Sequence, residues 1–204
     1  MSEAILFDDG KLRCRWCSAA PEFLAYHDTE WGFPVADDFK LFEKISLEGF
    51  QSGLSWRTIL AKRENFRKAF VNFDFNKIAR FTDADVERLL QDEGIVRHRG
   101  KIEAVINNAR CAQKLVATEG SLANFVWRYA LPKNPAKPQS QSTSVESVDL
   151  SKTLKKRGWK FVGPTTVYAF MQAMGLINDH AEGCVIRKKV DKERKAFLAK
   201  REKK

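Results

Sequence analysis

Both ends of this chain carry the same metal-ligating chemistry. Cys14, Cys17 and His27 stand near the start, and His180 with Cys184 forms a His-x3-Cys pair near the end. Two thiolates and two imidazoles suit tetrahedral zinc. An ion shared across that separation would clip the two ends together and close the intervening chain, residues 13–186, into one unit. The chain has 3 histidines, and His98 falls in a basic hairpin, so His27 and His180 are the natural pair. Cys14-Arg15-Trp16-Cys17 is a Cys-x2-Cys, and spacing leaves Cys14 and Cys17 equal candidates. Cys111 lies among small and apolar residues of a helix and reads as core.

A length of 204 residues with 44% hydrophobic content supports one sizeable core. No apolar run is long enough to span a membrane, and Met1–Asp9 lacks the charged and apolar regions of a signal peptide. A cytoplasmic protein without membrane association is expected, where cysteines favour metal or free thiols over disulfides. The net charge of +10 points to a polyanionic partner but is unevenly spread. Arg187–Lys204 hold 10 Lys or Arg against 3 Asp or Glu, so most of the excess sits in the last 18 residues. This tail, 187–204, reads first as a frayed, solvated helix and second as a basic arm near nucleic acid.

Helical punctuation dominates the rest. Pro21 suits a first helical position, with Glu22–Glu30 following. Leu41, Phe42, Ile45 and Gly49 are spaced for a helix over Asp37–Phe50. Ser55 is placed to cap one helix carrying Trp56, Ile59, Leu60, Phe66 and Phe70. Thr82 and Asp85 form a capping-box pattern. Lys101–Thr118 is strongly periodic and stops near Gly120, and Ser121 caps a short helix through Tyr129. Residues 132–147 read as a surface loop. Helices over Leu150–Arg157, stopped by Gly158, and Pro164–Met174 complete the pattern. With no strand-like alternation, the expected class is all-α.

Three groups bear on chemistry. Glu48 shares a helical face with Leu41 and Ile45, so it should point inward; a buried carboxylate without a partner is costly. Gly49, Gln51, Gly53 and Trp56 around it suggest a pocket wall. Residues 94–101, Gly-Ile-Val-Arg-His-Arg-Gly-Lys, place a glycine-bracketed turn before a helix N-terminus, with Arg97, Arg99 and Lys101 beside amides that favour phosphate. This suits a helix-hairpin-helix grip on DNA and also an ordinary basic turn. Trp16, Tyr26 and Trp56 could form a stacking slot for a flat ring.

Taken together, Cys14-Arg15-Trp16, Ala25–Gly32, Leu47–Trp56, Gly94–Lys101, Lys155–Gly163 and Asn178-Asp179-His180 resemble bacterial 3-methyladenine DNA glycosylase I, the TAG family. The likeness runs from about Arg13 to Cys184. It implies an all-α helix-hairpin-helix fold, base flipping, and hydrolysis of the N-glycosidic bond of N3-methyladenine in double-stranded alkylated DNA by a monomer. It implies one structural zinc on Cys14, His27, His180 and Cys184, leaving Cys17 outside the pattern. Glu48 and Tyr26 would recognise the base and serve catalysis, and Trp16, Trp56 and Phe23 would contact it. Gly53 and Leu54 would plug the emptied duplex, while Gly94, Arg97, Arg99, Gly100 and Lys101 would hold the backbone. The family lacks the catalytic Asp and nucleophilic Lys of related glycosylases, so base removal without strand cleavage is expected. The alternative is a non-catalytic, zinc-stabilised DNA-binding module, which has no need of an inward Glu48. A zinc hydrolase fits less well, because four protein ligands leave no open position for water.

Overall fold

A computed structural model of the chain describes residues 3–131 and 133–201. A short antiparallel hairpin pairs β1 (Ala4–Leu6) with β2 (Leu12–Cys14). It was not legible as alternation because each strand has only 3 residues. Beyond it the described residues are helical apart from turns and loops: α1 (Pro21–Thr29), α2 (Asp38–Gln51), α3 (Trp56–Ala61), α4 (Arg63–Ala69), α5 (Phe75–Ile78), α6 (Asp83–Leu90), α7 (Arg99–Glu119), α8 (Leu122–Val126), α9 (Val145–Lys156), α10 (Pro164–Ala173) and α11 (Arg187–Arg201).

The local signals act as their chemistry dictates. Asp37 caps α2 through the Lys40 amide, Ser55 caps α3, and the Thr82–Asp85 box opens α6. Gly120 and Gly158 end α7 and α9 at φ +79° and +85°, conformations that favour glycine. Two boundaries differ from expectation. The stretch expected as one helix after Ser55 breaks at Lys62, whose ammonium donates to the Glu93 carbonyl at 2.8 Å. Helix α9 begins at Val145, capped by Ser144 in a box with Ser147 that takes the place of the usual acidic partner.

The apolar face of α2 lies at the centre, against α7, α8, α10 and α3. Phe42, Phe50, Phe66, Phe70 and Phe73 are buried around it. That burial, at about 25 cal/mol per Å2 of apolar surface, is the main stabilising term and fixes where α2 presents its polar residues.

The C-terminal segment departs from the frayed, solvated reading. Helix α11 is docked: Val190 is fully buried, and the Arg194 guanidinium donates to the carbonyls of Gly175 (2.6 Å), Leu176 (2.8 Å) and Leu131 (3.2 Å). Phe197 lies against Trp127, with ring centroids 4.4 Å apart. The planar fork of an arginine can satisfy several orphan carbonyls at once, and a count of charges does not reveal that use.

Candidate base pocket and metal cluster

Helix α1 serves two sites through adjacent residues. His27 points to the meeting of the chain ends, and Tyr26 to a cavity beside α2. Pro21 opens the helix, and Trp31 closes back on it by donating its amide to the Tyr26 carbonyl at 2.9 Å.

At the first site, Cys14, His27, His180 and Cys184 are all buried, and their ligand atoms lie within 4.8 Å of one another. Sγ of Cys184 is 3.5 Å from His27 Nε2 and 3.8 Å from His180 Nδ1, and Sγ of Cys14 is 3.6 Å from the same Nδ1. A tetrahedron with Zn–S of about 2.3 Å and Zn–N of about 2.0–2.1 Å has sulfur–nitrogen edges of roughly 3.5 Å, so the donor set fits a metal ion of that kind. Outer partners orient both rings. His27 Nδ1 meets Asp28 at 2.7 Å, and Asp28 is held by Arg13; His180 Nε2 faces the Trp31 carbonyl at 3.1 Å. Cys14 belongs to the cluster. Cys17 does not: its thiol turns to the Cys14 carbonyl at 3.0 Å, and burial pushes its pKa up to about 12. The chain ends also meet directly, with the Val185 amide donating to the Leu12 carbonyl at 2.9 Å.

The second site is a cavity of about 270 Å3, just under the roughly 300–1,000 Å3 typical of small-molecule pockets, so a size suited to one flat base. Glu48 opens into it, with Trp16, Tyr26 and Trp56 as aromatic walls. Trp16 meets Tyr26 and Trp31 edge-on at 6.3 and 5.2 Å, which ties the pocket to the metal cluster behind. Burial, reinforced by the Glu48 carboxylate, raises the Tyr26 phenol well above its usual range, so its hydroxyl stays protonated. The Trp56 indole N–H is buried without a partner among the described residues.

Several residues of the site carry no clear signal in the sequence. Lys44, one turn before Glu48, is buried with it, and the two form an ion pair at 2.7 Å. A lysine on the apolar side of a helix reads as a misfit until the i,i+4 carboxylate is noticed. Gln139 and Gln141 also line the pocket, so the segment read as a surface loop is part of its wall. Asp179 holds that segment: its carboxylate accepts the Gln139 amide at 2.8 Å and the Gln172 side chain at 2.6 Å. The polar run 132–147 carried no signal for this, because its partner lies 40 residues away.

Two expectations are corrected. Phe23 packs behind Trp16, centroids 5.7 Å apart, with Cys17 and Ala20; it is not among the pocket's lining residues. Lys101 does not offer its charge to a phosphate. Its ammonium is buried and donates to the carbonyls of Phe50 (2.9 Å) and Ser52 (2.6 Å), stabilising the open C-terminal end of α2. Its backbone amide is taken by His98 Nδ1 at 3.2 Å. Lys101 therefore fixes the turn Gln51–Leu54 in place. That turn carries Gly53 at φ +78° and Leu54, an apolar side chain 42% exposed beside the pocket.

The expected hairpin is present between α6 and α7. Gly94 is tightly enclosed, since a Cβ there would lie 3.0 Å from Asn65. Arg97 and Arg99 are half exposed but pair with Glu93 (3.5 Å) and Glu87 (2.5 Å). These are weak surface pairs, which a phosphate can displace.

The methyladenine glycosylase family matches residues 16–188 of the sequence. This chain belongs to that family. DNA-3-methyladenine glycosylase 1 of Escherichia coli K12 is 50% identical over 180 residues, covering 84% of this chain and 95% of that protein. A DNA-3-methyladenine glycosylase of Haemophilus influenzae is 45% identical over 177 residues, covering 84% and 96%. A variant of 3-methyladenine DNA glycosylase I solved in complex with 3-methyladenine superposes with a TM-score of 0.81 at 37% identity, covering 86% of this chain and 97% of that one. The glycosylase fold is thus mostly helical, with a buried Cys/His cluster fit for a metal. No described helix is long and apolar enough to cross a membrane.

Proposed function

We propose that this glycosylase removes N3-methyladenine from alkylated double-stranded DNA in base-excision repair. The observation that carries the reading is the buried Glu48 carboxylate opening into an aromatic cavity of single-base size, in a member of the family. In this reading the damaged nucleotide is extruded, and its ring enters between Trp16 and Trp56. Methylation at N3 gives the base a formal positive charge, so its glycosidic bond is already weakened. Glu48 offsets that charge and accepts hydrogen bonds from the base edge, and Tyr26 adds a donor. The C1′–N9 bond breaks with its electron pair going to the base, which leaves neutral. Water adds to C1′ and gives up a proton, leaving an abasic site.

The surroundings support the rest. Leu54, held out by the turn that Lys101 anchors, is placed to fill the hole left in the duplex. The hairpin with Gly94, Arg97, Arg99 and the Gly100 backbone faces the phosphates. Zinc is the proposed occupant of Cys14, His27, His180 and Cys184, bound for structure, since four protein ligands leave no position for water. The test is release of free 3-methyladenine from methylated duplex DNA by the purified protein. The reading expects release with the abasic strand intact until heat or base is applied; DNA binding without release would favour a non-catalytic binding module.

A further inference from the structure

Lys44 occupies the very groups that the proposed function gives to the base. Its Nζ lies 2.7 Å from Glu48 Oε1, 2.8 Å from the Tyr26 hydroxyl and 3.4 Å from the centre of the Trp56 ring. An ammonium that close to an indole face leaves no room for a ring to stack on the same face. Nor can Glu48 give its full charge to a cationic base while it neutralises a lysine beside it. The side chain has somewhere to go. A second cavity of about 390 Å3 shares Tyr26, Lys44 and Trp56 with the base pocket. Glu30 and Glu43 stand in its wall, held by Arg63 and Arg67.

We propose that Lys44 is a specificity-determining residue: its ammonium holds the place of a cationic base in the pocket, and the base enters as the lysine side chain gives that place up toward the second cavity. The inference rests on the base-excision reading of this pocket. A cationic ring replaces the ammonium like for like, since Glu48 exchanges one positive partner for another and Trp56 exchanges one cation for another. A neutral adenine offers stacking alone. It would leave Glu48 buried without a counter-charge, a costly state, so the resident lysine selects against undamaged bases.

Proton loss by Lys44 opens the pocket too, because a neutral amine no longer competes for the carboxylate. The charged and titratable groups around it are Glu48 on its own helix, Tyr26 and Glu30 from the α1 segment, and Arg63 from α4, with Lys40, Glu43 and Arg67 also lining the cavity it shares. Burial outweighs the pull of Glu48 and lowers the Lys44 pKa, so this release begins below the usual lysine range.

The test is single-turnover excision of 3-methyladenine from alkylated duplex DNA, from neutral to alkaline pH, by wild type and by Lys44→Met, Lys44→Gln and Lys44→Arg. The wild-type rate should climb with pH. Lys44→Met, close in length, should excise about tenfold faster or more at neutral pH, the worth of one charge-assisted contact, and lose the climb. Lys44→Gln, which keeps hydrogen-bonding capacity should Met disturb the fold, should also lose the climb. Lys44→Arg stays charged and should remain slow across the range. Active wild type with Lys44→Met and Lys44→Gln no faster and the pH profile unchanged would overturn the inference alone. Wild type that releases no 3-methyladenine at any pH would overturn the base-excision reading and the inference with it.

Discussion

The two faces of α1 differ in one physical respect. On the His27 face the donor atoms are held by protein partners: both rings are oriented, and Cys14 Sγ accepts the Ala181 amide at 3.2 Å. On the Tyr26 face the Trp56 indole N–H lacks a partner among the described residues, and a buried charge pair lines a cavity. A closed donor set spends its binding energy on the fold, whereas an open set keeps it for a ligand. The contrast teaches that neighbouring residues on one helix can be divided between stability and recognition, and the division can be broken experimentally.

The largest effect belongs to the closed face. Cys184→Ser or His27→Ala should destabilise the protein by several kcal/mol, roughly, because a metal bound by this cluster would contribute folding energy. A melting temperature lower by roughly 10 °C or more and loss of bound zinc are expected. Metal analysis showing no zinc in carefully purified, active wild type would erase the contrast.

Next is the C-terminal helix. Ending the chain after Ile186 removes Val190 and Arg194, so the carbonyls of Gly175 and Leu131 lose their donor while that of Leu176 keeps the Leu131 amide. Each buried unsatisfied group costs about 1–3 kcal/mol, so thermal unfolding should show a clear loss of stability. A basic arm acting only through charge would lower DNA affinity without moving the melting temperature.

Trp56→Ala sharpens the open face. Loss of base stacking is worth about 1–3 kcal/mol, so excision should fall by roughly 5- to 150-fold. Affinity for undamaged DNA should hold, as measured by fluorescence anisotropy.

The sequence carried the closed face well because its logic is residue identity: few histidines, few cysteines and a tetrahedral metal preference narrow the choice. Cys14 against Cys17 needed either the family likeness or the fold, since both spacings are chemically sound. Glu48 was legible from helical periodicity, which put a carboxylate on an apolar face. Lys44 has the same periodicity but carries no such signal, because a lysine there looks like a rim residue until the geometry places its ammonium over Trp56. Lys101 failed the opposite way. Its sequence neighbours are cationic, yet the nearest unsatisfied carbonyls belong to α2, which only tertiary packing brings to it. Gln139 reached the pocket through Asp179, a long-range bond that no local pattern encodes.

The central proposal is that Glu48, paired with Lys44 inside the pocket, is the carboxylate that recognises the cationic base. The direct measurement is single-turnover excision of 3-methyladenine by wild type and Glu48→Gln at equal DNA occupancy, with melting curves for both. Gln can still accept from Lys44 but leaves its ammonium without a counter-charge, so some loss of stability is expected beside a roughly 10- to 100-fold loss of excision, the worth of a charge-assisted hydrogen bond. Equal excision rates, or a loss of excision that tracks unfolding, would contradict the account and return Glu48 to the role of ion-pair partner for a buried lysine.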